Sequence, residues 1–298
     1  MPPPLGLSAS LGLGAPRAAT SRGSVPSAVS YDEDAQTYFT ALEAATGWVE
    51  PADYADKKTA ISNYVVACKA ASNWEKIKAL YIPIWQVAAP NALSAKRSEE
   101  GSGVTTYDLS FTGTVTHDNG DFIQSDGSTG YCTAPFRGAG GSPTFFGLTD
   151  TSYSGNILGG TLTTADYLLG WYLEANIIPS SNSTSNCQIY GWDYADGSTN
   201  TANGGVPGFW SAESQTPSGA YTNKIELWKD GSSKVTKETY TQHQFSTTVD
   251  WFILAAGYTI GSGPWQVCQY EVNFVHAGIK MTSQSDFNTD TATLLAAL

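Results

Sequence analysis

The period of the hydrophobic pattern changes once along this chain, and this change limits the fold more than any other feature. Over residues 31–82 apolar residues recur every three or four positions, which is the spacing of an amphipathic helix. From residue 104 onward they alternate with polar residues, which is the pattern of a half-buried strand. The sequence therefore predicts a small helical segment followed by a larger β domain.

The helical segment, 31–82, is predicted to contain three helices. Two apolar stripes mark the first two: Ala35, Tyr38, Phe39 and Leu42, then Ile61, Tyr64, Val65 and Cys68. Gly47 is placed to end the first helix, and the second starts near Asp53. Ser72 and Glu75 have the spacing of a capping box, which predicts a third helix through Leu80. Because this core is small, we expect the segment to pack on a neighbour or a symmetry mate.

The region 104–298 is predicted to be an antiparallel β domain. Its strand candidates are 107–115, 130–136, 167–175, 186–194, 221–229, 234–240, 250–258 and 265–276. Asn-Gly at 119–120 and Asp-Gly at 126–127 and 230–231 indicate turns, the last of them a hairpin. No helical stripe interrupts the strands before 286–298. This favours a sandwich or jelly roll over a parallel sheet.

The first thirty residues belong to neither pattern. Residues 1–30 contain five Pro, four Gly, two Arg and no acidic residue. A segment without a period of 2 or 3.6 builds no core of its own, and it becomes ordered only where something else holds it. We expect an extended docking arm whose contacts come from Leu5, Leu7, Leu11 and Leu13. Residues 83–103, with two Pro and a polar stretch, are expected to be a linker.

Charge and composition exclude several classes of protein. The 298 residues include 27 acidic and 15 basic ones, a net charge of −12, which does not suit a nucleic-acid binder. Residues 98–223 hold twelve acidic residues and one basic residue, a net of −11, whereas 1–97 has a net of +1. An aromatic content of 12% argues against disorder. The chain has neither a long apolar run nor the pattern of a signal peptide, so we expect no membrane contact.

One stretch combines the groups that recognise sugars. Trp192 and Tyr194 offer ring faces, and Asp193 and Asp196 offer acceptors for hydroxyl groups, with Trp210 in the following loop. These five residues are the candidate carbohydrate site. The alternative is that the tryptophan is a core residue and the acids are turn residues.

Metal and thiol chemistry have little support. Asp193, Asp196 and Asn200 could offer oxygen ligands to Ca²⁺, but their spacing does not match an EF-hand. We therefore expect no metal or cofactor, and a Ca²⁺ site at these residues is the alternative. The cysteines are Cys68, Cys132, Cys187 and Cys268. They form no C-x-x-C pair, so we expect buried free thiols, with a disulfide between two strand cysteines as the alternative.

Three parts of the chain, in order, resemble a known family. The first part runs from Tyr31-Asp32-Glu33-Asp34-Ala35-Gln36 through Trp74-Glu75-Lys76-Ile77 to Pro83. The second part is Leu227-Trp228-Lys229-Asp230-Gly231. The third part is Phe274-Val275-His276-Ala277-Gly278-Ile279, followed by Asp286-Phe287-Asn288-Thr289 and Leu294-Leu295. The combination resembles virion structural proteins of tailed bacteriophages. In that family an arm and a helical segment precede a concanavalin A-like or laminin G-like sandwich that ends in a short helix.

The resemblance implies a mainly β protein with a concanavalin A-like jelly-roll sandwich over 104–298. It implies an accessory structural role in the virion, as a capsid decoration, a head fibre or a tail appendage, after assembly in the host cytoplasm. The implied partners are other virion proteins, which are capsid, portal, neck or tail subunits. The resemblance also implies a homo-oligomer of this chain, for which a trimer is one arrangement.

Two other functions stay open. The first is an adhesin whose sandwich binds host surface glycans. The second, a glycan depolymerase, has less support: the chain has no Gly-x-Ser-x-Gly or His-Glu-x-x-His motif, and no Glu-x-Asp-x-x-Glu pattern that would supply the paired carboxylates of a concanavalin-like glycosidase. We therefore expect a protein that is not an enzyme.

Overall fold

The chain divides into two units, Met1–Ser30 and Tyr31–Leu298, and the helices and strands that the structure describes lie in the second. The computed structural model describes residues 29–97, 107–117, 122–134, 155–162, 169–171, 175–178, 187–191, 199–201, 208–215, 223–229, 232–239, 251–256, 266–267, 271–278 and 281–298.

Four helices are present in the described residues. They are α1 (Glu33–Glu43), α2 (Tyr54–Ala70), α3 (Ala88–Ala92) and α4 (Gln284–Ala297). Both predicted stripes are buried, and the predicted C-terminal helix begins two residues earlier than expected. α1 ends four residues before Gly47, which lies in the following turn with a positive φ of 77°.

The eighteen strands of the described residues form two large and two small antiparallel sheets. They are β1 (Ile77–Tyr81), β2 (Ser110–Thr112), β3 (Val115–His117), β4 (Ile123–Ser125), β5 (Tyr131–Ala134), β6 (Gly155–Leu162), β7 (Leu169–Trp171), β8 (Ala175–Ile178), β9 (Cys187–Gly191), β10 (Thr199–Thr201), β11 (Gly208–Gln215), β12 (Asn223–Lys229), β13 (Ser232–Thr239), β14 (Trp251–Ile253), β15 (Ala255–Ala256), β16 (Gln266–Val267), β17 (Glu271–Val272) and β18 (Val275–Gly278). One sheet has six strands in the order β1-β18-β6-β11-β12-β13, and the other has seven in the order β10-β9-β8-β7-β14-β5-β2.

The two large sheets approach each other at β6 and β8 and at β10 and β13. Smaller sheets join β17, β4 and β3, and join β15 with β16. β12 and β13 pair up to Lys229 and Ser232, which is the hairpin predicted at 230–231. The mainly β, antiparallel sandwich architecture predicted from the alternating pattern is confirmed.

The predicted third helix is wrong. Trp74–Lys76 forms a single 3₁₀ turn, and Ile77–Tyr81 is the edge strand β1. Ser72 has a φ of +56°, and the N–H of the next residue, Asn73, donates to the carbonyl of Cys68. This is a Schellman motif, so Ser72 ends α2 instead of starting a new helix.

Because of a β-bulge, side chains on the two faces of β1 pack in two different cores. The strand pairs with β18, and its register shifts between Ile77 and Ala79. The extra residue places Ile77 and Leu80 on the same face, where both join the core beneath the helices. Ala79 and Tyr81 are buried on the opposite face, where the Tyr81 hydroxyl donates to the carbonyl of Tyr107 at 2.5 Å.

The helices pack on the six-stranded sheet of their own chain. Phe274, which precedes β18, has its ring centroid 5.6 Å from Phe209 of β11 and 6.0 Å from Tyr64 of α2. Phe287 of α4 completes the layer, 6.1 Å from Phe209. The expectation that the helical segment packs on a separate neighbour or symmetry mate is therefore corrected, because its apolar stripes meet the sheet of the same chain.

The predicted linker, 83–103, is structured and largely buried where the structure describes it. It contains α3, and Trp85 is fully buried, with its ring N–H donating to the Tyr38 hydroxyl at 3.0 Å. The Asn91 side chain accepts from the Trp85 N–H at 2.7 Å and donates to the Trp85 carbonyl at 2.5 Å. The Asn91 side chain thus supplies hydrogen-bond partners for the buried N–H and carbonyl groups of Trp85.

Asn73 connects the end of α2 to the start of α4. Its side-chain oxygen accepts from the Ser283 N–H at 3.0 Å, and its amide donates to the Ser283 carbonyl at 2.8 Å. Ser283 in turn caps α4 by accepting from the Asp286 N–H at 3.3 Å. Two segments 210 residues apart are thereby held together.

The turn between β4 and β5 requires glycine at a close crossing of two backbones. Asp126 accepts the N–H groups of Ser128, Thr129 and Gly130 at 2.8–2.9 Å. A Cβ on Gly130 would overlap the carbonyl of Thr114 on the neighbouring connection. No side chain fits there without moving the backbone.

We expect Gly130→Ala to lower the free energy of unfolding by about 2 kcal/mol or more, because the new methyl group displaces that carbonyl. Urea unfolding followed by tryptophan fluorescence measures the change. Ser110→Ala, at an exposed strand position, is the matched control and should change the value by less than about 0.5 kcal/mol. Equal effects of the two substitutions would contradict this account of the turn.

Candidate functional site

The first residues of the compact unit are held tightly against α1 and α2. Five residues do this, and we call them the arm anchor: Tyr31, Asp32, Asp34, Lys58 and Lys69. They lie where the segment 1–30, predicted to be a docking arm, joins the rest of the chain.

Asp32 joins the chain to both helices. Its carboxylate accepts the Asp34 N–H at 3.0 Å, which makes it the N-cap of α1. Its own N–H donates to the Ser62 hydroxyl of α2 at 2.8 Å. The same carboxylate receives the Lys69 ammonium at 2.7 Å. The backbone is thus fixed to α2 from Asp32 onward.

Lys69 also pairs with a second carboxylate. Its ammonium lies 2.7 Å from Asp34, whose carboxylate accepts the Trp74 ring N–H at 2.8 Å. Burial raises the pKa of Asp34, but the hydrogen bonds from Lys69 and Trp74 outweigh it, and the net pKa is lowered. Burial lowers the pKa of Lys69, and its bonds to the two carboxylates outweigh that effect and raise it. Asp34 and Lys69 are therefore both charged at neutral pH.

Tyr31 is held by rings and by a cation. Its ring lies edge-on to Phe39 of α1, with centroids 5.3 Å apart. The Lys58 ammonium lies 5.0 Å from the Tyr31 centroid, 5.2 Å from that of Phe39 and 4.9 Å from that of Tyr54. Glu43 accepts from this ammonium at 3.1 Å and from the Tyr54 hydroxyl at 2.9 Å. One lysine thus occupies a cage of three rings and a carboxylate.

Each charge of the arm anchor has an opposite charge beside it, Lys69 with Asp32 and Asp34 and Lys58 with Glu43, so the arrangement suits holding a chain in place. Elsewhere in the described ranges, no three His, Cys, Asp or Glu side chains come together in a way that could hold a metal ion. Cys68 and Cys132 are buried free thiols, as predicted, and burial raises the pKa of Cys68 to about 12. None of the helices in the described part of the chain has the length and apolar character that crossing a bilayer requires.

His276 is buried in the aromatic layer under α4. Its ring lies 4.7 Å from Phe287, 5.8 Å from Phe209 and 6.1 Å from Phe274. Within the part of the chain that the structure describes, neither ring nitrogen has a hydrogen-bond partner. Burial lowers the pKa of His276 to about 3, so the imidazole is neutral in the folded protein.

We expect acid to destabilise the protein through His276. The unfolded histidine, with a pKa of about 6.5, takes up a proton below that pH, whereas the folded one stays neutral down to about 3. The stability contributed by the neutral form is therefore present above pH 6.5 and decreases as the pH falls. Between pH 7 and 5.5 this residue should cost about 1 kcal/mol. Urea unfolding of the native protein and of His276→Phe at both pH values measures the difference, and an identical pH dependence would contradict it.

Eight residues of the two predicted sites lie outside the described residues. They are Leu5, Leu7, Leu11 and Leu13 of the arm and Trp192, Asp193, Tyr194 and Asp196 of the carbohydrate site. Trp210, which was predicted to lie in a loop, is instead in β11, where its backbone pairs with Gly160 and Lys229. The loop position was wrong because an aromatic residue beside Phe209 favours a strand.

The arm anchor was not identified from the sequence. The Asp-Glu-Asp run before the first helical stripe is an N-cap signal and could have located Asp32. Tyr54 and Lys58 are four residues apart, and this spacing could have indicated one side of the cage. The contacts of Lys69 with Asp32 and of Lys58 with Tyr31 have no local signal, because they join separate segments.

No protein-family model matches the sequence, and no curated protein is detectably similar to it. Domain 4 of AbnA, a GH43 extracellular arabinanase from Geobacillus stearothermophilus solved with arabinotriose, is 12% identical, covering 71% of this chain and 98% of that one, with a TM-score of 0.39. The binding domain of botulinum neurotoxin DC in complex with SialylT is 10% identical, covering 74% of this chain and 52% of that one, with a TM-score of 0.48.

A structure of botulinum neurotoxin type C, whose cell entry depends on interaction with two ganglioside molecules, is 10% identical. The match covers 76% of this chain and 53% of that one, with a TM-score of 0.46. The chain thus spans about half the length of the toxin chains that it matches. All three TM-scores lie below 0.5.

Proposed function

We propose that this protein is a non-enzymatic accessory structural protein of a tailed-phage virion, of the capsid-decoration or fibre type. It docks on other virion proteins through residues 1–30 and displays a lectin-like sandwich of the concanavalin A-like type. The arm anchor is the observation that carries this proposal, because it holds the chain firmly at the point where the docking segment ends.

A docking arm has to transmit the pull of its partner to the domain that it carries. A loosely held junction would lose its contacts one residue after another under such a pull. Here Asp32 is tied to Ser62 and Lys69, which both lie on α2. α2 in turn shares a core with α4 and with the six-stranded sheet. The arm anchor therefore connects Asp32 to the core that α2 shares with α4 and the six-stranded sheet.

The distribution of charge agrees with a docking end and a displayed end. Residues 1–97 are nearly neutral, which allows close packing against another subunit, whereas 98–223 carry a net charge of −11. Like charges on displayed domains keep neighbouring copies apart and in solution.

Ordering the arm costs about 1–2 kcal/mol per residue, so docking needs extensive apolar burial. Leu5, Leu7, Leu11 and Leu13 supply apolar side chains for this. Many copies on one particle make weak individual contacts effective through multivalency.

Deleting residues 2–28 should leave a folded protein that no longer joins the particle. The arm anchor begins at Tyr31, so urea unfolding of the truncated protein should match that of the full chain. Incorporation is measured by quantifying the protein in purified particles. Full-length protein with Leu5, Leu7, Leu11 and Leu13 all changed to Ser should fail in the same way, whereas Ser8→Ala with Ser10→Ala should not. Full occupancy by the truncated protein would refute the docking role.

Glycan binding by the sandwich is the second candidate function. β9 and β10 pair antiparallel at one edge of the seven-stranded sheet, from Ile189 opposite Thr199 to Cys187 opposite Thr201. The stretch 192–198, which contains Trp192, therefore connects two neighbouring strands, and connections of this kind carry ligand-binding residues in many β proteins. Its tryptophan, tyrosine and two aspartates are the groups that sugar rings and hydroxyls require.

If the sandwich is an adhesin, Trp192→Ala should weaken glycan binding by the full chain at least tenfold, because the apolar face of the sugar loses its stacking partner. Asp193→Asn tests the contact with hydroxyls. Asp56→Asn, an exposed carboxylate on α2, is the matched control and should leave binding unchanged. A glycan array that shows no binding by the native protein would eliminate the adhesin function and leave the structural role.

A further inference from the structure

We propose that Lys58 is the positioning residue of the docking arm. Its ammonium locks Tyr31 against α1 and α2, and it thereby fixes the first residue after the docking segment. This inference rests on the proposed docking function and deepens it, because it assigns a role to a side chain that does not itself touch the partner.

The cage around Lys58 is assembled from three parts of the chain. Tyr54 is one helical turn before Lys58 on α2, which brings the two side chains together. Phe39 belongs to α1, and Tyr31 precedes the N-cap of that helix. All three ring centroids lie within 5.2 Å of the ammonium, inside the distance of about 6 Å at which a cation is attracted to a ring face.

The cage is stronger than a surface ion pair. An exposed lysine–carboxylate pair contributes little, because water screens it and two flexible side chains lose entropy. The Lys58 side chain is only 16% exposed, and it combines the Glu43 carboxylate with three ring faces. The Tyr54 hydroxyl, which donates to the same carboxylate, holds the acceptor in place. The ammonium therefore occupies one defined position.

Tyr31 depends on this ammonium. It is half-buried, and beyond Lys58 its side chain has the edge-on contact with Phe39. The adjoining residues Val29 and Ser30 are exposed. Tyr31 is thus the first residue of the compact unit, and its ring is held by the cage and by packing against the core, whereas the two residues before it are exposed.

Pre-ordering of this junction favours docking. If Tyr31 were free, its backbone and side chain would have to become ordered each time the arm docked, at a cost of about 1–2 kcal/mol for the backbone. A loss of that size corresponds to a roughly tenfold weaker affinity. The role of Lys58 is therefore to prepare the docked state in advance.

The test compares Lys58→Met, which keeps the apolar stem without the charge, with Lys58→Arg, which restores a cation able to stack on rings. Lys76→Met is the matched control outside the cage. The first measurement is limited chymotrypsin digestion of the full chain, with mass spectrometry of the fragment that begins at Asp32. Cleavage after Tyr31 should be at least about tenfold faster in Lys58→Met, and close to the native rate in Lys58→Arg and Lys76→Met.

The second measurement is binding to purified phage particles that were assembled without this protein. Lys58→Met should bind roughly tenfold more weakly, and Lys58→Arg and Lys76→Met should bind as the native protein does. Urea unfolding of the three variants measures any loss of global stability, and docking is compared under conditions in which each variant is fully folded, so that a general loss of structure does not explain the weaker binding.

The outcomes separate the two proposals. Unchanged cleavage after Tyr31 in Lys58→Met would overturn the cage as a lock. Faster cleavage with unchanged docking would overturn the positioning role, while the docking function would still be decided by the deletion of residues 2–28. If that deletion left docking intact, the proposed function and the positioning role would both fail, and the cage would remain a local lock detected by proteolysis alone.

Discussion

Phe274 is the residue at which the helices and the six-stranded sheet of this protein share one core. Its ring packs edge-on against Tyr64 of α2 and Phe209 of β11. Each such pair contributes about 0.5–1.5 kcal/mol beyond the burial of its surface. The helical segment alone has too few apolar residues for an independent core, so its stability depends on this shared layer. The bulge in β1 and the clamp of Asn73 on Ser283 bring further backbone to the same place.

The arm anchor uses the same helix that this layer holds in place. α2 directs Tyr64 and Cys68 into the shared core, and it offers Ser62, Lys69 and Lys58 to the residues that precede and begin α1. A single helix therefore joins the start of the compact unit to its sheet. This connection would give the proposed docking function its mechanical basis, because Asp32 is bonded directly to α2.

Prediction from the sequence worked where local geometry decides the structure. The stripes of α1 and α2 and the alternation from residue 104 onward were recognised, because a side chain's position on a helix or strand follows from its spacing alone. The prediction of a helix from the capping-box pattern at Ser72 failed because the same Ser-x-x-Glu spacing also occurs where a helix ends. Here Ser72 has a left-handed backbone conformation and ends α2. The prediction of a linker over 83–103 failed because Trp85 is buried against partners on α1 and α3. The composition of residues 83–103 does not reveal these partners.

The sequence by itself determined the helical and β halves, the main turns, the buried free thiols at Cys68 and Cys132 and the unequal distribution of charge. Only the tertiary structure decided that Ile77–Tyr81 is a strand, that the helices pack on their own sheet and that Lys58 lies among three rings. The reason is physical: a strand needs a partner, and that of β1 is β18, almost 200 residues away. Local spacing determines which face a residue lies on, whereas the folding of the whole chain determines what that face meets.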